Sequence, residues 1–176
     1  MKHWSALSHI AQSSRGLAWG AAGIAVAIAI FAAKYTLTIN TTPSLPIRLA
    51  IIEKGAFPTH VGQLLAFRSA GYGPLPKGIV VVKRVLGVPG DTVSHIPATT
   101  PAHQAITRVA HGQTVIEQPV RRLSRSFAPL PLGPSGRIPD MHYHVGGDHP
   151  DSFDSRYGLM GWVRADQVIG TVVWAW

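Results

Sequence analysis

Lys83 is the residue most in need of an explanation. It lies in Ile79–Asp91, IVVVKRVLGVPGD, where four β-branched residues run straight into a lysine. A dense β-branched run closed by a Gly-Val-Pro-Gly-Asp turn predicts a largely buried strand. Strand alternation then puts Lys83 on the same side as Ile79, Val81 and Val85, with Arg84 facing the other way. An ammonium on such a face is unfavourable unless it sheds its proton. Lowering a lysine pKa from about 10.4 to near 7 costs on the order of 4 kcal/mol. A neutral amine serving as general base is one use for that arrangement. The plain alternative is a stem lying along apolar surface while the head reaches water.

Two further stretches hold chemically capable residues. Ser44 sits in Thr36–Pro46, TLTINTTPSLP, bracketed by Pro43 and Pro46, which forbid ordinary helix around it. By itself this reads equally well as a linker with incidental hydroxyls. Near the C-terminus, GGDHPDSFDSRYG crowds Ser152, Asp154 and Arg156 together. Such a stretch can also be a polar turn held by its own side chains.

The elements that must position these residues fall into an apolar head and a strand-rich remainder. Residues 1–15 are polar, with Lys2 and Arg15 as their only full charges. Gly16–Ala33, GLAWGAAGIAVAIAIFAA, is eighteen residues without a charge. As a helix it would measure about 27 Å, near the hydrocarbon thickness of a bilayer. Lys34 and Tyr35 read as an interfacial edge. Residues 16–35 are therefore expected to be a transmembrane anchor or a cleaved signal peptide. The small-x-small triplet Ala27-Ile28-Ala29 lies inside the apolar run and not after it, which favours the anchor. Ser44 follows Lys34 by ten residues, at most about 33 Å of extended chain, so an anchor would keep it close to the membrane face.

Beyond residue 35 strands are expected over Leu49–Ile52, Val61–Phe67, Ile79–Leu86, Thr92–Ile96, Ala105–Ala110, Gln113–Gln118, Met141–Val145 and Val168–Trp174, with a hairpin turn at His111-Gly112. Pro119–Pro139 reads as an extended loop whose Arg121, Arg122 and Arg125 face headgroups or solvent. No long amphipathic helix is predicted, so residues 36–176 form a mainly β domain of antiparallel sheets.

Composition narrows the chemistry. There is no cysteine, which removes disulfides, a thiol nucleophile and cysteine-based metal sites. The net charge is +8, and all eight acidic residues lie beyond residue 34. A basic balance suits anionic lipid headgroups as well as nucleic acid, and no helix-turn-helix or RNA-binding pattern is present. His142 and His144 share a strand face, but without a third ligand in pattern a zinc site is not expected.

Three separate stretches resemble one family in the same order. Ser44 in NTTPSLP, Lys83 in VVVKRVLGVPGDTV and the tail GGDHPDSFDSRYG are similar to the type I signal peptidases, membrane-anchored Ser–Lys proteases. The family's lysine box, KRVxGxPGDxV, is met at every fixed position by Lys83–Val93, and its SxDSR tail by Ser152–Arg156. His-Pro ahead of the tail box and Ser44-Leu45-Pro46 resemble the conjugative-transfer branch, the TraF peptidases that mature pilin subunits. Ile138-Pro139-Asp140 through Gly147-Asp148 resembles the strand leading into that tail. Arg48 departs from the TraF pattern, which has glycine there. The likeness covers about three-quarters of the chain.

The resemblance implies a signal-peptidase-like β-sheet catalytic domain behind one N-terminal transmembrane helix, facing the periplasm from the bacterial inner membrane. Ser44 would be the nucleophile and Lys83 its base. The Ser44 N–H and the Thr42 hydroxyl would receive the oxyanion. Ser152 would orient the lysine amine, and Asp154 and Arg156 would form a supporting ion pair, although in TraF-like enzymes the aspartate is implicated in activity. The expected partners are a pilin-like precursor protein and membrane lipid, with no cofactor, metal or nucleic acid. Three rivals carry other expectations: a general signal peptidase, a non-catalytic envelope component of the transfer apparatus, and a LexA-like self-cleaving regulator. The apolar head and the missing DNA-binding element count against the last.

Overall fold

A computed structural model describes residues 4–71, 73–124 and 128–176, with side chains in the first helix from residue 19 onward. The chain divides into two compact units, Met1–Thr36 and Leu37–Trp176.

The first unit is dominated by helix α1 (Trp4–Lys34), which runs unbroken through the polar segment and the apolar run. Alanine and unbranched residues make up much of it, and its basic last turn, Lys34, suits the negative end of the helix dipole. The helix stops at Lys34, so Tyr35 belongs to the first strand. Trp19, Ile24, Val26, Ile28 and Ile30 are exposed. Residues 16–18 of the expected span lie outside the described side chains, and among the described residues no helix is long and apolar enough to cross a membrane.

The second unit is mainly β. Its strands are β1 (Tyr35–Ile39), β2 (Leu49–Lys54), β3 (Leu64–Arg68), β4 (Val80–Gly87), β5 (Thr92–Pro97), β6 (His103–His111), β7 (Thr114–Arg121), β8 (Gly136–Arg137), β9 (His142–Gly146), β10 (Val163–Arg164) and β11 (Val168–Ala175). A seven-stranded sheet runs β1-β2-β11-β3-β4-β9-β10, and a four-stranded sheet runs β7-β6-β5-β8. The pairings β2–β11, β3–β11, β3–β4, β4–β9 and β5–β6 are all antiparallel.

β4 is an inner strand, flanked by β3 and β9, and packs on both faces. Val81 and Val85 join Leu65, Phe67, Tyr143 and Val145 in one core cluster. Val82 joins Leu45, Ile52 and Ala66 in another. Double coverage explains why the strand reads as a continuous apolar run and not as an alternating one.

Several details differ from the sequence expectation: β1 and β10 are strands it does not include, and β3 begins at Leu64 and not at Val61. The β6–β7 turn falls at Gly112-Gln113, because His111 pairs with Thr114; Gly112 supplies the positive φ of 56° that bends the chain. Pro119–Pro139 is not wholly a loop. Pro119, Val120 and Arg121 finish β7, and Gly136-Arg137 pairs with β5. Proline is tolerated there because β7 lies at the edge of its sheet, where a missing N–H leaves no ladder bond unmade. Arg121 is tied to Asp151 in an ion pair, Arg122 is exposed, and Arg125 lies outside the described residues.

Candidate active site

Lys83 does not reach solvent. It is 4 % exposed, and its Nζ donates to Ser152 Oγ at 2.6 Å. The snorkelling alternative therefore fails. Burial lowers its pKa from 10.5 to about 8; Asp154 pulls the value back up and Arg156 pushes it down. Roughly a tenth of the amine is then neutral at pH 7, and the fraction grows as pH rises toward 8, which supplies the free base that the reaction needs.

Ser44 is presented from a short loop between β1 and β2 and is itself 6 % exposed. Leu45 anchors that loop by burying its side chain against Ile52, Ala66 and Val82. On the opposite side, the backbone N–H groups of Asp148 and His149 donate to the Ser44 carbonyl at 2.8 and 3.3 Å. The Ser44 N–H makes no hydrogen bond to another described residue, so it is free to serve an incoming oxyanion. Ser44 Oγ lies 2.9 Å from Thr42 Oγ1.

Ser44, Lys83, Thr42 and Ser152 all line one cavity of about 300 Å³. Ser44 and Lys83 face this shared space without a direct hydrogen bond between them; their bonds run to Thr42 and Ser152 respectively. His149 lines the same cavity. Its Nδ1 accepts the Asp151 N–H at 3.1 Å, which leaves Nε2 as the protonated nitrogen of a neutral ring. That tautomer has no free lone pair with which to take a serine proton.

Behind the lysine, the tail box is a closed polar network. Arg156, 1 % exposed, and Asp154, fully buried, pair through Nε–Oδ1 at 2.8 Å and Nη2–Oδ2 at 2.9 Å. Arg156 also donates to the Pro119 carbonyl at 2.7 Å and to the Ser152 carbonyl at 3.0 Å. Its guanidinium thereby ties the tail to β7 of the second sheet and fixes Ser152, the partner of Lys83. Asp154 also accepts the Gly147 N–H at 3.1 Å. Its oxygens are engaged by Arg156 and backbone N–H groups, and it makes no hydrogen bond to Lys83. Four of the five guanidinium N–H groups and both Asp154 oxygens are engaged, which is what makes burying this ion pair tolerable. Ser155 Oγ accepts the Val145 N–H at 3.0 Å, pinning the tail against β9.

Several residues matter here that the sequence did not single out. A Cβ on Gly147 would approach Ser152 Oγ to 2.1 Å and the Ser44 carbonyl to 2.7 Å, so only glycine lets nucleophile loop and tail come so close. Arg84 forks onto Asp148, with Nε–Oδ1 at 2.9 Å and Nη2–Oδ2 at 2.8 Å. It steadies the residue whose N–H holds the Ser44 carbonyl. The GGD triplet was visible in sequence; its packing role was not.

His142 Nδ1–H donates to the Asp140 carbonyl at 2.9 Å, whereas His144 is fully buried, and burial lowers its pKa to about 4. Among the described residues no group of three His, Asp or Glu could hold a metal ion.

The chain matches the family model for signal peptidase, peptidase S26, over residues 13–176. The chain belongs to the S26 signal peptidase family. Membership makes it a serine peptidase of mainly antiparallel β fold, with precursor proteins as the substrate class. Comparison with curated proteins finds no match.

Proposed function

We propose that this S26 peptidase works through a Ser44–Lys83 dyad and that its substrate is the precursor of a conjugative pilin. The observation that carries the dyad is a buried lysine amine facing the same cavity as a proline-flanked serine. Ser44 Oγ attacks the scissile carbonyl carbon as Lys83 takes its proton. The oxyanion is met by the Ser44 N–H and the Thr42 hydroxyl. Lys83 then returns the proton to the departing amine, leaving an acyl ester on Ser44. Asp154 and Arg156 act as supports, since their bonds run to backbone and to each other.

Hydrolysis of the ester yields a linear product. Where the acyl group is the pilin chain itself, its own amino group can attack instead and give a cyclic subunit. The Ser-Leu-Pro triplet and the HPDSFDSRY stretch support the pilin assignment. Helix α1, with its exposed apolar side chains, is proposed as a single-pass anchor in the bacterial inner membrane that leaves the β unit in the periplasm.

Ser44→Ala in the full chain is expected to abolish precursor processing while leaving thermal unfolding unchanged. Full processing by that variant would overturn the assignment and favour a partner-binding role. Processing of many unrelated secreted precursors would favour a general signal peptidase. Mass spectrometry of the product separates linear from cyclic outcomes and locates the cut.

A further inference from the structure

One carboxamide closes the nucleophile loop from both sides. Asn40 Nδ2 donates to the carbonyls of Leu45 at 3.2 Å and Ile47 at 3.0 Å, beyond Ser44. Its Oδ1 receives the Thr42 backbone N–H at 3.2 Å and stands 3.0 Å from Thr42 Oγ1, ahead of Ser44. A carboxamide has two donor hydrogens and two acceptor lone pairs, and here all four are engaged. Its orientation is fixed by its partners: the carbonyls of Leu45 and Ile47 require a donor, and the Thr42 N–H requires an acceptor.

That orientation dictates where the hydroxyl protons lie. Oδ1 can only accept, so the single Thr42 hydroxyl proton must point to Asn40. The 2.9 Å contact between Thr42 Oγ1 and Ser44 Oγ is then a bond in which Ser44 donates. In this resting arrangement the Ser44 proton is given to Thr42 and not to Lys83, and the Thr42 proton is given to Asn40.

We infer that Asn40 is a positioning residue for the S26 reaction, holding the Ser44 loop and directing a Ser44–Thr42–Asn40 hydroxyl chain that must reverse on substrate binding. The inference rests on Ser44 being the nucleophile. When a peptide carbonyl enters, the Ser44 O–H rotates to Lys83 and the Thr42 hydroxyl swings its proton from Oδ1 to the developing oxyanion. Oδ1 keeps the Thr42 N–H, so this release strands no bare acceptor. Asn40 is half-buried and does not touch the reacting carbonyl; it acts through Thr42 and the loop backbone.

The test uses the full chain in detergent micelles with an internally quenched peptide carrying an Ala-x-Ala cleavage site. Wild type, Asn40→Ala, Asn40→Asp, Thr42→Val and Asn40→Ala/Thr42→Val are compared, with Ser44→Ala as reference. Asn40→Ala is expected to lower kcat by about 10- to 100-fold with KM within a few-fold, since the Thr42 donor aimed at the transition state loses the group that positions it. Asn40→Asp keeps the acceptor and the volume but loses both amide donors and grips the Thr42 proton more tightly, so kcat falls at least as far. The double variant should lose clearly less than the product of the single losses. A kcat within twofold of wild type for both Asn40 variants, or losses that multiply independently of Thr42, overturns the inference. If Asn40→Ala unfolds, Asn40→Asp alone decides by the same kcat criterion. Activity surviving in Ser44→Ala would instead overturn the nucleophile assignment, a separately readable failure.

Discussion

The two sides of the cavity are built differently. The lysine side is a buried network: Lys83 on strand β4, with Ser152, Asp154 and Arg156 on the tail that follows β9, which Arg156 links to β7. The serine side is a short proline-flanked loop in which Thr42 is exposed and shape depends on Leu45 and the Asn40 carboxamide. The proton acceptor needs a dry, fixed environment to keep its pKa low, so its supports belong to the core. The nucleophile must rotate its hydroxyl and admit a peptide, so its loop is held through backbone groups and the Leu45 side chain while the Ser44 hydroxyl is left to bond Thr42. Substitutions on the lysine side should therefore change stability and rate together, whereas those on the serine side should change rate alone.

The largest expected effect is that of Lys83→Met. Processing should fall by on the order of 10³-fold or more, yet the protein should become more stable near pH 7. The sign follows from linkage. The folded pKa of about 8 lies below the ordinary 10.5, so the unfolded chain binds the proton more tightly. The penalty is fully present below about pH 8 and fades as pH rises toward 10.5. Removing it should raise the unfolding free energy by about 3 kcal/mol at neutral pH, as read by urea titration. A loss of stability would mean that the amine sits comfortably charged.

Arg156→Met breaks the buried pair and leaves Asp154 uncompensated. Unfolding free energy should drop by about 3–5 kcal/mol, and activity should fall with it as the Ser152 carbonyl loses the Arg156 donor. A stable but inactive variant would instead point to a direct role for the pair in the reaction. Thr42→Val is the smallest expected change in the fold and a selective one in rate: roughly 3 kcal/mol of transition-state stabilisation, or about 10²-fold in kcat, with stability within about 0.5 kcal/mol of wild type. A matching loss of stability would erase the contrast between the two sides.

Much of this was legible in sequence because it is written in local pattern. The valines around Lys83 announce an inner strand, and the turn signals mark most strand ends. Ser44, Lys83 and the SFDSR tail stand out by spacing and family likeness. What stayed hidden depends on contacts across the chain. Nothing near Asn40 shows that its amide spans the loop to Ile47, and nothing near Gly147 shows Ser152 and the Ser44 carbonyl closing on it. The end of β7 was missed because Pro119 and its Arg-rich sequel look like loop; only an edge position makes proline acceptable there. The His111–Thr114 pairing shifted the hairpin by one residue, since the glycine alone did not specify which neighbour shares the turn.

The central claim is that a buried, readily neutralised amine serves as base for Ser44. Single-turnover acylation of the quenched peptide, followed from pH 5 to pH 11, tests it most directly. The rate should rise once and level off with an apparent pKa near 8, a rise absent in Lys83→Met. A rate still climbing at pH 10, or a pH dependence that persists in Lys83→Met and disappears in His149→Ala, would contradict it.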